Sequence, residues 1–261
     1  MGEMIKELIQ YRELLMALSW RNITIRYKQT IMGFMWALFM PALIVLSGVV
    51  VQQAMSVISG KPLQFTQIAS VAVKSLPWAF FVGTLKMAVN SLVGNMNLVT
   101  KIYFPREMFP FSAVISQLYD FAIAGIVLAV ILFFAGVGAS IYILWLPVLL
   151  LFLVLFTTGL SLVLASSNLF FRDVKYIVDV ILTFGIFFTP VFYSASMFGK
   201  WKTLLLLNPM GAILEGINDV VILHQAPDPA WILYAAVWSV GGFFLAWWIF
   251  HKTEPAFAEN I

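Results

Sequence analysis

Residues 121–171 read FAIAGIVLAVILFFAGVGASIYILWLPVLLLFLVLFTTGLSLVLASSNLFF and contain no charged side chain. A charge at the centre of a bilayer costs about 2.5–3.5 kcal/mol even on lenient insertion scales, and a spanning helix needs about 20 apolar residues. The small residues at 136–140 divide the stretch, which predicts two spanning helices joined by a tight hairpin, at about Phe111–Ala135 and Ile141–Ser166. The chain is therefore predicted to be an integral membrane protein.

The composition of the whole chain agrees with this prediction. Of its 261 residues, 62% are apolar and 10% charged, with a mean hydropathy of +0.98, whereas soluble domains have about 45–50% apolar and about 25% charged residues. A soluble enzyme and a disordered chain are both excluded. The absence of cysteine excludes thiol chemistry, and His224 and His251 lack the spacing of metal ligands. We therefore expect neither a metal nor a cofactor, and the net charge of +3 is too small to predict binding to nucleic acid.

Other charge-poor windows predict four further spans, for an all-α fold of six transmembrane helices. Residues 1–32 combine charges and apolar residues at helical spacing, which predicts an amphipathic interface helix on the cytoplasmic membrane surface. Residues 33–261 then form a single transmembrane domain. Between the last two spans, Met197–Pro229 contains only short, broken apolar runs, which predict a re-entrant or surface helical pair on the extracytoplasmic side. The four further spans are about Gly33–Ser56, Leu76–Leu98, Tyr176–Ser196 and Ala230–Phe250.

The distribution of basic residues predicts the orientation. Six spans place both termini on one side, and ten of the 15 Lys and Arg residues then fall in segments on that side, against four in the opposite loops. The positive-inside rule makes the termini cytoplasmic. No sequence repeat relates the first three spans to the last three, which argues against an inverted-repeat secondary transporter.

The chain has no phosphate-binding loop of the form G-x-x-x-x-G-K-[ST]. The dipeptide Gly60-Lys61 is followed by Pro62, and Gly199-Lys200 is followed by Trp201. If ATP drives this protein, we expect the hydrolysis to take place in a separate subunit.

Three segments carry a family resemblance. They are RYKQTIMGFMW at 26–36 with Pro41 after it, NLVTKIYFPREMFP at 97–110, and FFRDV at 170–174 followed by Thr189-Pro190 and Asn208-Pro209. Together they resemble the permease subunits of ABC-2 type transporters. The chain is most similar to the branch that exports bacterial surface polysaccharides such as O-antigen, capsule and teichoic acid.

The resemblance implies a homodimer of this chain with two copies of an ABC ATPase on the cytoplasmic face. This assembly would export a lipid-linked, O-antigen-like polysaccharide across the bacterial inner membrane. Three other functions stay open at this point: an ABC-2 permease for a drug or lipid, a secondary transporter that needs no ATPase, and a structural membrane scaffold.

In this family the N-terminal surface helix and the loop between the second and third spans contact the ATPase. We expect two phenylalanines of the loop to anchor in a groove of the partner, and the Arg and Glu between them to pair with charges at its rim. The alternative is that this segment is only a loop beside the inner leaflet. The resemblance assigns ATPase coupling to Arg21, Arg26, Lys28, Lys101, Phe104, Arg106, Glu107 and Phe109.

Aromatic residues are the candidates for the substrate pathway. Phe184, Phe187, Phe188 and Phe192 recur at i, i+3, i+4 and i+8, which on a continuous helix is one face. Rows of rings offer sugars stacking contacts without fixed hydrogen bonds, and lipid contact or helix packing is the alternative. Trp36 and Phe39 add rings on the first span.

Lys86 and Asp120 are the two charges predicted to lie deep in spans. Intramembrane charges are usually paired or face a cavity. Because the two side chains fall at similar depths, a structural salt bridge between adjacent spans is predicted, in preference to a proton relay.

Overall fold

The computed structural model describes residues 2–28, 30, 32–33, 35–60, 62–101 and 104–258, and within them the side chains except at 2–5, 59, 99–101 and 258. Every regular element in these ranges is a helix, so the all-α prediction is confirmed. The α-helices are α1 Gly2–Gln10, α2 Arg12–Tyr27, α3 Met35–Ser59, α4 Phe65–Val89, α5 Met96–Lys101, α6 Met108–Phe134, α7 Leu146–Phe170, α8 Val174–Gly185, α9 Lys202–Leu206, α10 Pro209–Val221, α11 Pro229–Ala236 and α12 Gly242–Thr253.

Five helical stretches of the described chain are long and apolar enough to cross a membrane. The predicted first, third, fourth and sixth spans each correspond to one of them, and the second span is displaced. It was predicted to begin near Leu76 because Lys74 lies just before that residue, but α4 begins at Phe65 and contains Lys74, whose side chain is fully buried. The five stretches are Met35–Ile58, Phe65–Val89, Met108–Phe134, Ile141–Phe170 and Pro229–Phe257.

The predicted fifth span, Tyr176–Ser196, is only partly helical. Helix α8 has 12 residues, about 18 Å at 1.5 Å per residue, against a hydrocarbon core of about 30 Å. Residues 186–194 follow as a run of turns. Pro190 lies in this run, has no backbone N–H and disfavours the α conformation at the residue before it.

Two short helices occupy the predicted helical pair before the last span. A 3₁₀ turn, Ala195–Trp201, leads into α9, and α10 begins after Asn208, whose side chain accepts a hydrogen bond from the Met210 N–H. Helix α10 packs against α4, α7 and α11. Helix α10 is therefore built into the bundle.

The two ends of the chain lie at one end of the bundle, here called the terminal end. Arg21 of α2 donates to the Asn95 side chain, and Arg106, just before α6, bonds to Glu254 after α12. An apolar cluster fills this end, and a second, larger cluster fills the opposite half, between α4, α7 and α10. The predicted single interface helix is two helices, α1 and α2, with Tyr11 between them.

Candidate functional site

A cavity of about 770 Å³ opens between α3, α4, α6 and α8. Its wall is charged and polar where Arg26, Lys86, Gln117 and Asp120 line it. The rest of the wall is mainly apolar, with residues such as Trp36, Met40, Ile44, Leu182 and Ile186. The cavity therefore has a polar end, and the rest of its wall is mainly apolar.

The charges at the polar end form pairs other than the predicted one. The Asp120 carboxylate accepts hydrogen bonds from the Arg26 guanidinium and the Tyr27 hydroxyl. Lys86 Nζ lies 3.1 Å from Asp179 Oδ1 on α8, with both side chains about half exposed. The predicted Lys86–Asp120 bridge is therefore wrong, because depth along separate helices does not say which neighbour each side chain faces.

Arg26 and Tyr27 thereby attach the end of α2 to the third span. Burial, and next the hydrogen bond to Asp120, raise the pKa of the Tyr27 hydroxyl. The tyrosine therefore stays protonated and remains a donor at physiological pH. Arg26 was predicted to contact the ATPase, but its guanidinium is engaged within this chain.

The predicted row of four phenylalanines is divided in two. Phe184, Phe187 and Phe188 are 59%, 60% and 73% exposed, whereas Phe192 is buried at 6%. The helical spacing ends with α8 at Gly185, so the later rings follow the turns of segment 186–194. On α3, Trp36 and Phe39 are partly exposed and meet edge to face at 5.3 Å.

The loop at 100–110, between the second and third spans, is here called the coupling loop, and its two predicted phenylalanine anchors are buried within this chain. Phe104 and Phe109 are 6% and 1% exposed, and their ring centroids lie 5.4 Å apart. Both belong to the apolar cluster of the terminal end. Glu107 between them is fully buried. The expectation that these three side chains reach into an ATPase is therefore corrected: the terminal end requires its own apolar core, and they supply part of it.

The turn after α12 holds the coupling loop in place. Glu254 accepts from the Arg106 backbone N–H at 3.0 Å and offers its own carbonyl to the Arg106 guanidinium at 2.9 Å. The buried Phe257 ring lies below that guanidinium, 5.9 Å from its carbon. Sequence reasoning missed both C-terminal residues, since they carry no motif and act only through the fold.

Glu107 accepts a hydrogen bond from the Trp247 indole at 3.3 Å. Burial raises the pKa of this carboxyl, and the nearby Glu254 charge raises it further. Glu107, His251 and Glu254 offer ligand atoms within 4.8 Å of one another, the one such group in the described part of the chain. His251 Nδ1 lies 3.6 Å from Glu254 Oε2, so we assign the group to polar contacts within this chain.

Of the three remaining residues predicted to couple to the ATPase, one has an exposed side chain in the described part of the chain. Lys28 is exposed, Arg21 is half-buried on Asn95, and the Lys101 side chain falls outside the described residues. Trp20 of α2 and Phe171 after α7 are 65% and 71% exposed. Phe171 belongs to the third sequence motif, but sequence reasoning did not single it out.

Comparison with known proteins confirms the family resemblance of the sequence. The family model described as ABC-2 type transporter matches residues 13–222. The O-antigen export system permease protein RfbA of Myxococcus xanthus is 29% identical over the full length of both chains. Two proteins of Klebsiella pneumoniae with the same name are 24% and 25% identical, covering 95% and 80% of this chain and 94% and 80% of their own lengths.

Proposed function

The chain belongs to the ABC-2 type transporter family, and from this premise we propose that it is the permease of an ATP-driven exporter of a lipid-linked, O-antigen-like polysaccharide across the bacterial inner membrane. Family membership makes it a transport component. The substrate is proposed from the relatives, which are named O-antigen export system permease proteins. This chain matches them over most or all of their length.

The shape and polarity of the cavity carry this proposal. A lipid-linked polysaccharide joins an apolar chain to a polar, phosphate-bearing head. The cavity matches that division, because the Arg26–Asp120 ion pair and Lys86, which pairs with Asp179, line its polar part and apolar side chains line most of the remaining wall. Trp36 stands at the same wall and offers a ring on which a sugar can stack.

We propose that the energy comes from a separate ABC ATPase, two copies of which dock on the terminal end. The sequence holds no phosphate-binding loop of its own. The contact surface includes the exposed side chains of Trp20, Lys28 and Phe171. Arg106 contributes by holding the coupling loop against the turn after α12. Aromatic and Arg side chains are typical of the few interface residues that dominate binding energy.

We further propose a homodimer with six crossings per chain, the fifth made by α8 and segment 186–194 together. The outer face of α8 supports this, because Ile177, Val180, Ile181 and Phe184 are between 56% and 61% exposed. A second copy would cover this face and enclose the pathway lined by Phe187 and Phe188. Residues 1–32 then form the cytoplasmic interface helices and 33–261 the transmembrane domain, with both termini cytoplasmic.

Stimulation of ATP hydrolysis tests the substrate class. The purified complex of this chain with its ATPase is measured with lipid-linked polysaccharide, with the lipid carrier alone and with a cationic drug. We expect stimulation by the first only. Equal stimulation by the carrier would indicate a lipid permease, stimulation by the drug would indicate a drug permease, and failure to co-purify with any ATPase would contradict the ABC assignment.

A further inference from the structure

Segment 186–194 is irregular backbone inside a membrane protein. Thr189, Pro190 and Val191 are all buried, so bulk water does not supply hydrogen bonds to their backbone groups. Non-helical backbone at membrane depth is tolerated only where protein groups or a water-filled cavity satisfy its N–H and C=O groups. The partners of this segment therefore determine its position.

One partner comes from α3. The Gln52 side-chain amide donates to the Phe192 carbonyl at 2.6 Å, and Gln52 is 5% exposed although its neighbour Gln53 is exposed. The Phe192 ring is held in the same region, because a Cβ at Gly48 would approach it to 2.8 Å. Helix α3 thus fixes both the carbonyl and the ring of one residue.

Two further partners come from α4 and α10. The Lys74 ammonium donates to the Tyr193 carbonyl and lies 3.3 Å from Glu215 Oε1. Glu215 accepts from the Ala195 N–H at 3.1 Å and from the Ser194 hydroxyl at 3.4 Å. Four consecutive residues, 192–195, are therefore bound by side chains from three different helices.

We propose that Gln52, Lys74 and Glu215 form a polar cradle that positions segment 186–194, so that Phe187 and Phe188 face the transport pathway. The three are positioning residues, since they act through the backbone of the segment and do not touch the substrate. This inference rests on the proposed function for its transport consequence and on geometry alone for the positioning.

The chemistry of the three side chains fits this role. A buried lysine whose charge only balanced Glu215 would need no contact with a carbonyl, yet its ammonium is directed at Tyr193. A buried charge without partners is strongly disfavoured, so Lys74 and Glu215 stabilise each other only while the segment supplies the remaining hydrogen bonds. Loss of the cradle should release the segment without unfolding the helices around it.

Thiol labelling tests the positioning, because the native chain contains no cysteine. Val191→Cys places a near-isosteric thiol at a fully buried site of the segment, and Val89→Cys places the matched thiol at a buried site of α4. Each is combined with Gln52→Leu, and each with the control Gln53→Leu. The reagent is a water-soluble methanethiosulfonate applied to the intact complex.

We expect Gln52→Leu to raise the labelling rate at position 191 at least tenfold and to leave position 89 unchanged, with Gln53→Leu changing neither. The pair Lys74→Met with Glu215→Gln, which strands no charge, should do the same. An unchanged rate at 191 in both backgrounds would overturn the cradle. Equal increases at 191 and 89 would also overturn it, since they would indicate general unfolding.

Export and ATPase binding are then measured on the cysteine-free cradle variants. We expect polysaccharide export to fall at least fivefold while the complex still co-purifies. If a cradle variant exports normally although its Val191→Cys version shows faster labelling, the positioning role is overturned. If the wild-type complex itself moves no polysaccharide, the proposed function fails while the labelling result still stands.

Discussion

Glu107 is a carboxyl side chain placed where charge is costly, with no exposed surface and a pKa raised by burial and by Glu254. A carboxyl whose pKa is higher in the folded state binds more protons there, so its contribution to stability is present at low pH and lost as pH rises through the folded-state pKa. The wild-type complex should therefore lose stability as pH rises above the ordinary pKa of a glutamate carboxyl.

Glu107→Gln keeps an oxygen for the Trp247 indole and removes the titration. Its melting temperature should equal or exceed the wild-type value at pH 8 and change less between pH 5 and pH 8. His251 lies against Glu254 in the same cluster, so His251→Gln is the matched control. An identical pH slope in wild type and Glu107→Gln would show that Glu107 does not carry the dependence.

Phe109 is a core residue of the terminal end. Phe109→Ala should lower the free energy of unfolding by about 3–5 kcal/mol, the usual cost of removing a buried phenylalanine. Phe171→Ala, at an exposed site, should change it by less than about 0.5 kcal/mol and instead weaken ATPase binding. Thermal melts and co-purification of the two variants separate these effects, and a stable Phe109→Ala that loses its ATPase would restore the anchor hypothesis.

At this scale the sequence predicts residue types better than partners. Asp120 was correctly expected to need a cation, but the cation is Arg26 from the N-terminal helix. That pairing depends on how α2 packs on α6, which is a property of the tertiary fold. The burial of Phe104 and Phe109 has the same origin. A Phe-rich loop has the same sequence pattern whether its rings contact a partner or pack into the core of its own chain.

Among the elements, α8 shows where hydrophobic patterning stops being sufficient. Residues 176–196 contain enough apolar residues to span, and the pattern does not show that helical structure ends at Gly185. The signals were Pro190 and the polar residues Gln52, Lys74 and Glu215 on other helices, which satisfy the irregular backbone. Such cooperation between distant positions is invisible to a window along one segment.

Close contact between α10 and segment 186–194 gives a test at this scale. A Cβ on Gly211 would lie 2.8 Å from the Leu205 carbonyl oxygen and 3.1 Å from Pro190 Cδ. Gly211→Ala should therefore displace α10 and reduce both the yield of folded complex and export. Gly242→Ala is the control, since its Cβ meets nothing within 4 Å. Equal yields from the two variants would contradict the tight packing.

For the molecule as a whole, the all-helical fold and most of the spans followed from charge-free windows alone. The prediction that the two terminal regions share one end also agrees with the structure, because Leu18 of α2 and Phe257 after α12 belong to the same apolar cluster. The side of the membrane on which this end lies is a prediction from the basic residues.

Cysteine labelling in intact cells checks that orientation. Single cysteines at Ser140 and Lys202 should react with an impermeant thiol reagent from outside, and those at Lys6 and Lys175 should react only after permeabilisation. The positive-inside distribution is the physical reason. Labelling of position 175 from outside would invert the proposed topology.

Transport itself tests the central claim most directly. The chain and its ATPase are reconstituted into liposomes that contain a lipid-linked polysaccharide, and a glycan-binding probe detects polymer on the face opposite the ATPase. We predict that polymer reaches that face only with hydrolysable ATP, and that Lys86→Ala at the polar end of the cavity slows its appearance. Polymer transfer without ATP, or none with an active, fully assembled complex, would contradict the account.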